Sequence, residues 1–347
     1  MTRTTRTLAG LTSAAALILS ACSTGATDPA STDTAADAAA RPPAAADAFP
    51  VTIEHALGET TIEEAPQRVA TLGWVDDDIA LSLGVAPVGA VAKSWGGNEN
   101  RSTDWFDAAL EEQGAEQPVR YDDTDGAPVD AIAELAPDVI LATNSGITEK
   151  EYAKLSKIAP VVAYPDFPWV TEWRTSLDMI GDALGLSDRA VEVRAETEQV
   201  IEDGKDEYPG LEGTSLAFVH LTPTDLSTIG LYAAADNRVR TMNDFGMVNA
   251  SIVDEVVDEG QFYGTMSAER AEDVDADVVL SYAETEDDVA DLADDPLIGR
   301  IPALRSGHVY AEVDKHLGVS ITNPSPLSMP YIVEHYLPGV AEVVPAS

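Results

Sequence analysis

A twelve-residue stretch occurs twice in this chain, and that repeat limits the architectures open to it. Asp130-Ala-Ile-Ala-Glu-Leu-Ala-Pro-Asp-Val-Ile-Leu141 aligns without gaps with Glu269-Arg-Ala-Glu-Asp-Val-Asp-Ala-Asp-Val-Val-Leu280. Each copy reads as an acid, a short helix, a turn of small residues, an aspartate and an apolar strand. A helix–turn–strand recurs in many α/β proteins, so coincidence remains the alternative. Taken as a repeat, it divides the folded part into two lobes built alike.

The surrounding pattern supports an α/β chain, because apolar runs alternate with helical periods. Strands are expected at 68–72, 86–91, 138–142, 161–163, 216–221, 278–282 and 309–312. Helices are expected at 76–83, 129–135, 148–158, 237–245 and 267–273, with a terminal helix over 326–337. The acids of 76–83 fall in its first turn, where the macrodipole favours negative charge. Two helical stretches, 170–184 and 187–208, follow one another with only Gly185 and Leu186 between them. Leu177, Ile180, Ala183 and Leu184 give the first its period, and Pro209-Gly210 stops the second.

The first residues read as an export signal. Arg3 and Arg6 precede a short apolar run, 8–19, too short and too rich in small residues for a comfortable membrane span. Leu19-Ser20-Ala21-Cys22 looks like a lipobox, the signal for lipid attachment at Cys22, which is the only cysteine of the chain. An ordinary secretory signal with an incidental cysteine is the alternative. Residues 1–21 are thus expected to be a signal peptide and 22–47, all small and polar, a flexible lipid-anchored tether. The folded part begins near Phe49 and is long enough for two lobes.

Formal net charge is −41, and loss of Arg3 and Arg6 with the signal would leave it near −43. Such a chain repels a phosphate backbone, so no nucleic-acid partner is expected. A basic membrane-docking face is excluded on the same ground. Catalytic signatures are missing: there is no G-x-S-x-G elbow, no H-E-x-x-H, no Walker loop and no paired-cysteine metal spacing. His55, His220, His308, His316 and His335 show no compact ligand spacing, so no metal site is expected. No nucleophile–base pair is visible either, which counts against a surface hydrolase.

Several stretches together resemble one family. Pro66-Gln-Arg-Val-Ala-Thr-Leu72 with Leu83-Gly-Val-Ala-Pro-Val-Gly-Ala90 looks like its opening. Asp130 to Leu141 with Tyr152-Ala-Lys-Leu-Ser-Lys-Ile-Ala-Pro-Val161 looks like its middle. Phe262-Tyr-Gly-Thr-Met-Ser-Ala-Glu-Arg270 and Pro324-Ser-Pro-Leu-Ser-Met-Pro330 look like its late segments. The family is the iron–siderophore (ferrichrome and cobalamin type, class III) substrate-binding lipoproteins of ABC importers, and the resemblance covers roughly 50–343. It implies two Rossmann-like lobes, 48–168 and 209–347, joined by a single long helix within 169–208, the first half being favoured, with the ligand in the cleft between. It also implies that Asp130 and Glu269 dock on arginines of the permease subunits. Asp130 departs from the family's usual Glu, and acids at a helix start need no partner to explain them.

What the resemblance implies is a monomeric binding protein, not an enzyme. It would sit lipid-anchored on the outer face of the cytoplasmic membrane, capture a ferric siderophore and pass it to the permease. Iron would travel inside the chelator, with no cofactor of the protein's own. Such a ligand needs aromatic walls and a few cations. Loops after strand ends offer Trp74, Lys93, Trp95, Arg101 and Tyr121 in the first lobe. In the second lobe the candidates are His220, Tyr232, Arg238, Arg240, Tyr263, Tyr282, Lys315 and His316. Arg238 and Arg240 could instead pair with nearby acids, and Tyr263 and Tyr282 could be core. The alternatives are a cobalamin binder, a haem binder using an axial His or Tyr, and a lipoprotein binding zinc or manganese directly.

Overall fold

The computed structural model describes residues 41–346 apart from 223, 224, 259 and 286. The expected signal peptide, Cys22 and most of the expected tether lie outside the described residues. Residues 41–48 are described: Pro42 packs on Gly84, Ala44 and Phe49 pack on Gly185, and the Ala45 amide donates to the Gly185 carbonyl. The chain therefore joins the fold a few residues before Phe49.

An antiparallel hairpin, β1 (Val51–His55) and β2 (Gly58–Ile62), opens the first lobe. Then come β3 (Val69–Thr71), α1 (Asp76–Ser82), β4 (Gly89–Val91), α2 (Asp104–Glu112), β5 (Val119–Tyr121), α3 (Val129–Glu134), β6 (Val139–Ala142), α4 (Glu149–Leu155) and β7 (Val161–Ala163). The five strands β3 to β7 form a parallel sheet in the order β5-β4-β3-β6-β7. Val139 to Ala142 are all buried, as a strand covered on both faces must be.

Two antiparallel helices follow, α5 (Trp173–Leu184) and α6 (Ser187–Glu207). α5 buries Trp173, Leu177, Ile180 and Leu184 and ends at Gly185, whose φ of +69° suits glycine. The first half of the segment is the favoured connector: α5 reaches the second lobe at its start, where Arg174 pairs with Asp244, and α6 also spans the lobes. It starts beside the end of α5, and its Gly204 lies against Phe245 and Val333 of the second lobe. Twenty-one residues of α-helix reach about 32 Å. α5 packs on α1 and β1 of the first lobe, and its buried face joins the same core as that of α6.

The second lobe contains β8 (Ser215–Thr222), β9 (Asp225–Tyr232), α7 (Asn237–Asp244), β10 (Val248–Asn249), α8 (Ser251–Val256), β11 (Tyr263–Ser267) and a 3₁₀ segment (Ala268–Asp273). These are followed by β12 (Val278–Tyr282), α9 (Asp288–Asp294), α10 (Pro302–Ser306), β13 (Val309–Glu312) and α11 (Lys315–Thr322). Its sheet runs β11-β9-β8-β12-β13, with β10 also paired to β8. Helical residues 329–342 close the chain, including a wide π segment, Ile332–Tyr336. Pro338 has no N–H to donate back to the preceding turn, which favours that widening.

The internal repeat has a structural counterpart. One copy supplies α3 and β6, the other the 3₁₀ segment and β12, and each strand lies one in from the edge of its sheet. Asp138 accepts from the amides of Gln67 and Arg68, fixing the start of β3. Asp277 accepts from the amide and hydroxyl of Ser215, fixing the start of β8. In both lobes the repeated aspartate holds the entrance of the neighbouring strand.

Candidate functional site

Strand order in the first sheet reverses between β3 and β6, and ligands collect beyond the carboxyl ends at such a point. The chain leaves β3 through Gly73-Trp74 and β6 through Thr143. Asp76 ties the two exits together, accepting from the Thr143 amide at 2.8 Å and hydroxyl at 2.6 Å. A side chain at Gly73 would strike the Asp76 carboxylate, so the backbone runs close there and Trp74 turns outward. Its ring rests on Trp169, with centroids 4.7 Å apart, and its Nε1–H donates to Asp123 at 3.0 Å. Trp169 itself has φ of +67°, unusual for a bulky residue, and packs on Gly146.

The second lobe faces this edge with the ends of β8, β9, β12 and β13. They deliver His220, Tyr232, Tyr282 and Glu312, while α7 adds Arg238 and α11 adds Lys315 and Thr322. Together with Trp74 and Trp95 they line a cavity of about 420 Å³. Arg238 stacks 3.7 Å over the Tyr232 ring, and its Nε and Nη2 both donate to Asp236 at 2.7 Å. Burial alone would lower its pKa, but the bonds and charge of Asp236 more than offset that and raise it. The guanidinium is a fixed cation with Nη1 outside the pair. Burial pushes the Tyr282 phenol up to about 12; its hydroxyl shares a 2.6 Å hydrogen bond with Thr322 and donates to the Gly318 carbonyl.

Of the thirteen residues expected to meet a ligand, the structure brings Trp74, Trp95, His220, Tyr232, Arg238, Tyr282 and Lys315 to this cavity. The other six are placed elsewhere. Lys93 is nearly buried, pairs with Asp77 at 3.2 Å and donates to the Trp74 carbonyl at 2.6 Å. It therefore holds the Trp74 loop from behind. Arg101 pairs with Asp122 on the surface. Tyr121 is in the core and donates to the Thr71 carbonyl. Arg240 donates to the Val170 carbonyl, holding α7 to the segment entering α5. Tyr263 covers Gly230 and packs on Tyr232. His316 Nδ1–H donates to the Gly96 carbonyl at 2.7 Å, so its role is to join the lobes.

Acids in the cavity wall were missed. Glu284, Asp288 and Glu312 all line it. Glu284 pairs with Lys315 at 2.8 Å. Asp288 accepts from Thr285 and the Glu284 amide, bonds that hold it below the usual carboxylate range. A chain so rich in acids offers no sequence signal for which of them reach a cleft. Among the described residues, no group of three or more His, Cys, Asp or Glu is placed to hold a metal ion.

The lobes are pinned across the cleft at two further points. The loop after β4 touches α11, where a side chain at Gly96 would strike the Lys315 carbonyl. Asn98 organises that loop, accepting from the amides of Asn100 and Ser102 and donating to Asp104 and Asp107. Behind it, buried Asp78 accepts from Trp105 Nε1–H at 2.7 Å and from the Ser325 hydroxyl at 2.6 Å. Ser325 and Ser328 exchange bonds with each other's amides, which gives a job to the late Pro324–Pro330 motif.

Two lobes of this build, with a cleft at their switch points, define a solute-binding protein. The chain belongs to the periplasmic binding protein family, whose profile matches residues 69–313. It is similar to PiaA of Streptococcus pneumoniae TIGR4, an iron-uptake ABC transporter substrate-binding protein whose structure has been solved with ferrichrome. That likeness has 34% identity and a TM-score of 0.80, over 84% of this chain and 98% of PiaA. It is also 32% identical over 156 residues to the probable siderophore-binding lipoprotein YfiY of Bacillus subtilis strain 168, a match spanning 45% of each chain. The Fe(3+)-citrate-binding protein YfmC of the same organism is 26% identical over 73% of this chain and 75% of its own length.

Proposed function

We propose that this protein is the extracytoplasmic binding component of an ABC importer, holding a ferric siderophore between its lobes and delivering it to the permease. The observation that carries the reading is the cavity itself. Trp74 and Trp95 on one side face Tyr232, Tyr282 and a fixed Arg238 on the other. Aromatic faces suit a bulky, flat-sided chelate, and a few convergent polar groups orient it. The likeness to PiaA supports the same reading. Iron stays wrapped by the chelator, so the protein needs neither its own iron ligands nor a cofactor. The role is binding without catalysis, by a monomer anchored through Cys22 on the outer face of the cytoplasmic membrane. Asp130 and Glu269, both exposed at the first turn of the repeated helical segments, dock on the permease.

Cobalamin or haem would use the same cleft. His220 and Tyr282 both line it and are the axial candidates there for haem. The test is tryptophan fluorescence of the full chain titrated with ferric siderophores, their iron-free forms, cobalamin and haem. Saturable quenching by a ferric siderophore and not by its iron-free form is the expected result. Response to haem or cobalamin alone would replace the siderophore reading.

A further inference from the structure

The cleft is aromatic, yet its charge is not what a highly anionic chelate requires. Two cations line the cavity, Arg238 and Lys315, against three carboxylates, Glu284, Asp288 and Glu312. Asp236, bonded to Arg238, adds a fourth. Each cation already has a carboxylate partner, Arg238 the buried Asp236 and Lys315 the exposed Glu284. Cations that could have relieved the imbalance are engaged as well: Lys93 and Arg120 with Asp77, Arg101 with Asp122. Arg238 keeps its Nη1 and Lys315 two of its three ammonium N–H groups outside these pairs, so the lining still carries fewer cations than carboxylates.

We infer that the site selects neutral or cationic ferric complexes of the trihydroxamate kind and discriminates against trianionic triscatecholates and anionic citrate-type complexes. The inference rests on the siderophore reading given above. Three monoanionic hydroxamates cancel the charge of Fe³⁺, so such a chelate enters a net-negative cleft without repulsion. Three catecholates leave three negative charges, which meet the wall carboxylates Glu284, Asp288 and Glu312. Glu284, Asp288 and Glu312 can also accept from amide N–H groups or an ammonium on the chelate, contacts that the trianion does not reward.

The experiment is a fluorescence titration of the full chain with a neutral ferric trihydroxamate, a monocationic ferric trihydroxamate and a trianionic ferric triscatecholate, each at low and high salt. The two hydroxamates should bind, with the trianion at least about 100-fold weaker at low salt and the gap narrowing as salt screens the repulsion. Glu284→Gln combined with Asp288→Asn should raise affinity for the trianion about tenfold, since it frees Lys315 and removes two charges. A trianion that binds as tightly as the neutral complex would overturn the charge selection and leave the siderophore function standing. An unchanged trianion affinity in the double variant would overturn it too. If no ferric complex binds, the siderophore reading fails and the selection fails with it.

Discussion

A single methyl group separates Trp95 from losing its seat. Cβ at position 318 would lie 2.8 Å from the Trp95 ring and 3.0 Å from Tyr282. Gly318 sits on α11 of the second lobe, so the first lobe's tryptophan reaches across the cleft only because the helix is bare there. Gly318→Ala is expected to push the indole outward and weaken ligand binding roughly tenfold, about 1.4 kcal/mol. Melting temperature and affinity measured together check this: a large stability loss with unchanged affinity would contradict it. Residue types in these loops were legible from the sequence, whereas their partners were not. Trp74 and Trp95 stood out as aromatic residues in polar loops, and both line the cleft. Lys93 looked equivalent to them, but Asp77 is buried and a buried carboxylate demands cations. That demand arises only when α1 packs under the loop.

At the scale of elements, α1 is the least ordinary helix. Its first turn holds Asp76, Asp77 and Asp78, all buried. Burial, with Asp77 nearby, pushes Asp76 and Asp78 up to about 6; burial would also raise Asp77, but Lys93 and Arg120 hold it below the usual range. The folded state therefore binds more protons than the unfolded chain between roughly pH 4 and 6. Stability contributed by Asp76 and Asp78 is present at the acid end and is lost as pH rises through about 6. Asp77 acts oppositely, and only at still lower pH. The melting temperature should thus rise from pH 7 to pH 5, and Asp78→Asn should flatten that rise; an identical slope in the variant would rule the assignment out. The sequence placed α1 correctly but read its acids as a macrodipole effect, since burial leaves no mark on a helix only seven residues long. Strands flanked by helices on both faces, such as β6, β7 and β12, were plain from unbroken apolar runs. β9 and the β1–β2 hairpin escaped because antiparallel strands with a solvent-facing side mix polar and apolar residues.

On the scale of the whole molecule, the duplicated segment says more than either lobe alone. α3 runs antiparallel to β6, and the second copy leads from β11, which is parallel to β12. The first turns of both copies therefore lie on the cleft side of their sheets, carrying Asp130 and Glu269. Reversing both charges (Asp130→Lys with Glu269→Lys) should abolish uptake in cells while ligand affinity in solution stays the same; normal uptake would refute the docking role. Two-lobe architecture was visible in the repeat, but the choice of crossing helix was not. α5 reaches the second lobe through Arg174 on Asp244 and α6 through Gly204 against Phe245, contacts that leave no pattern in the sequence.

The crossing itself has a consequence for traffic at the membrane. α6 passes from lobe to lobe as one continuous rod, and the Gly96–His316 and Asp78–Ser325 contacts brace it. A spacer this stiff holds Asp130 and Glu269 at nearly one separation, whether the cleft is full or vacant. If those two acids are the docking points proposed above, empty and loaded molecules carry the same address and vacant carriers queue at the same gate as full ones. On that reading, a cell making far more of this protein than its cargo would slow its own supply.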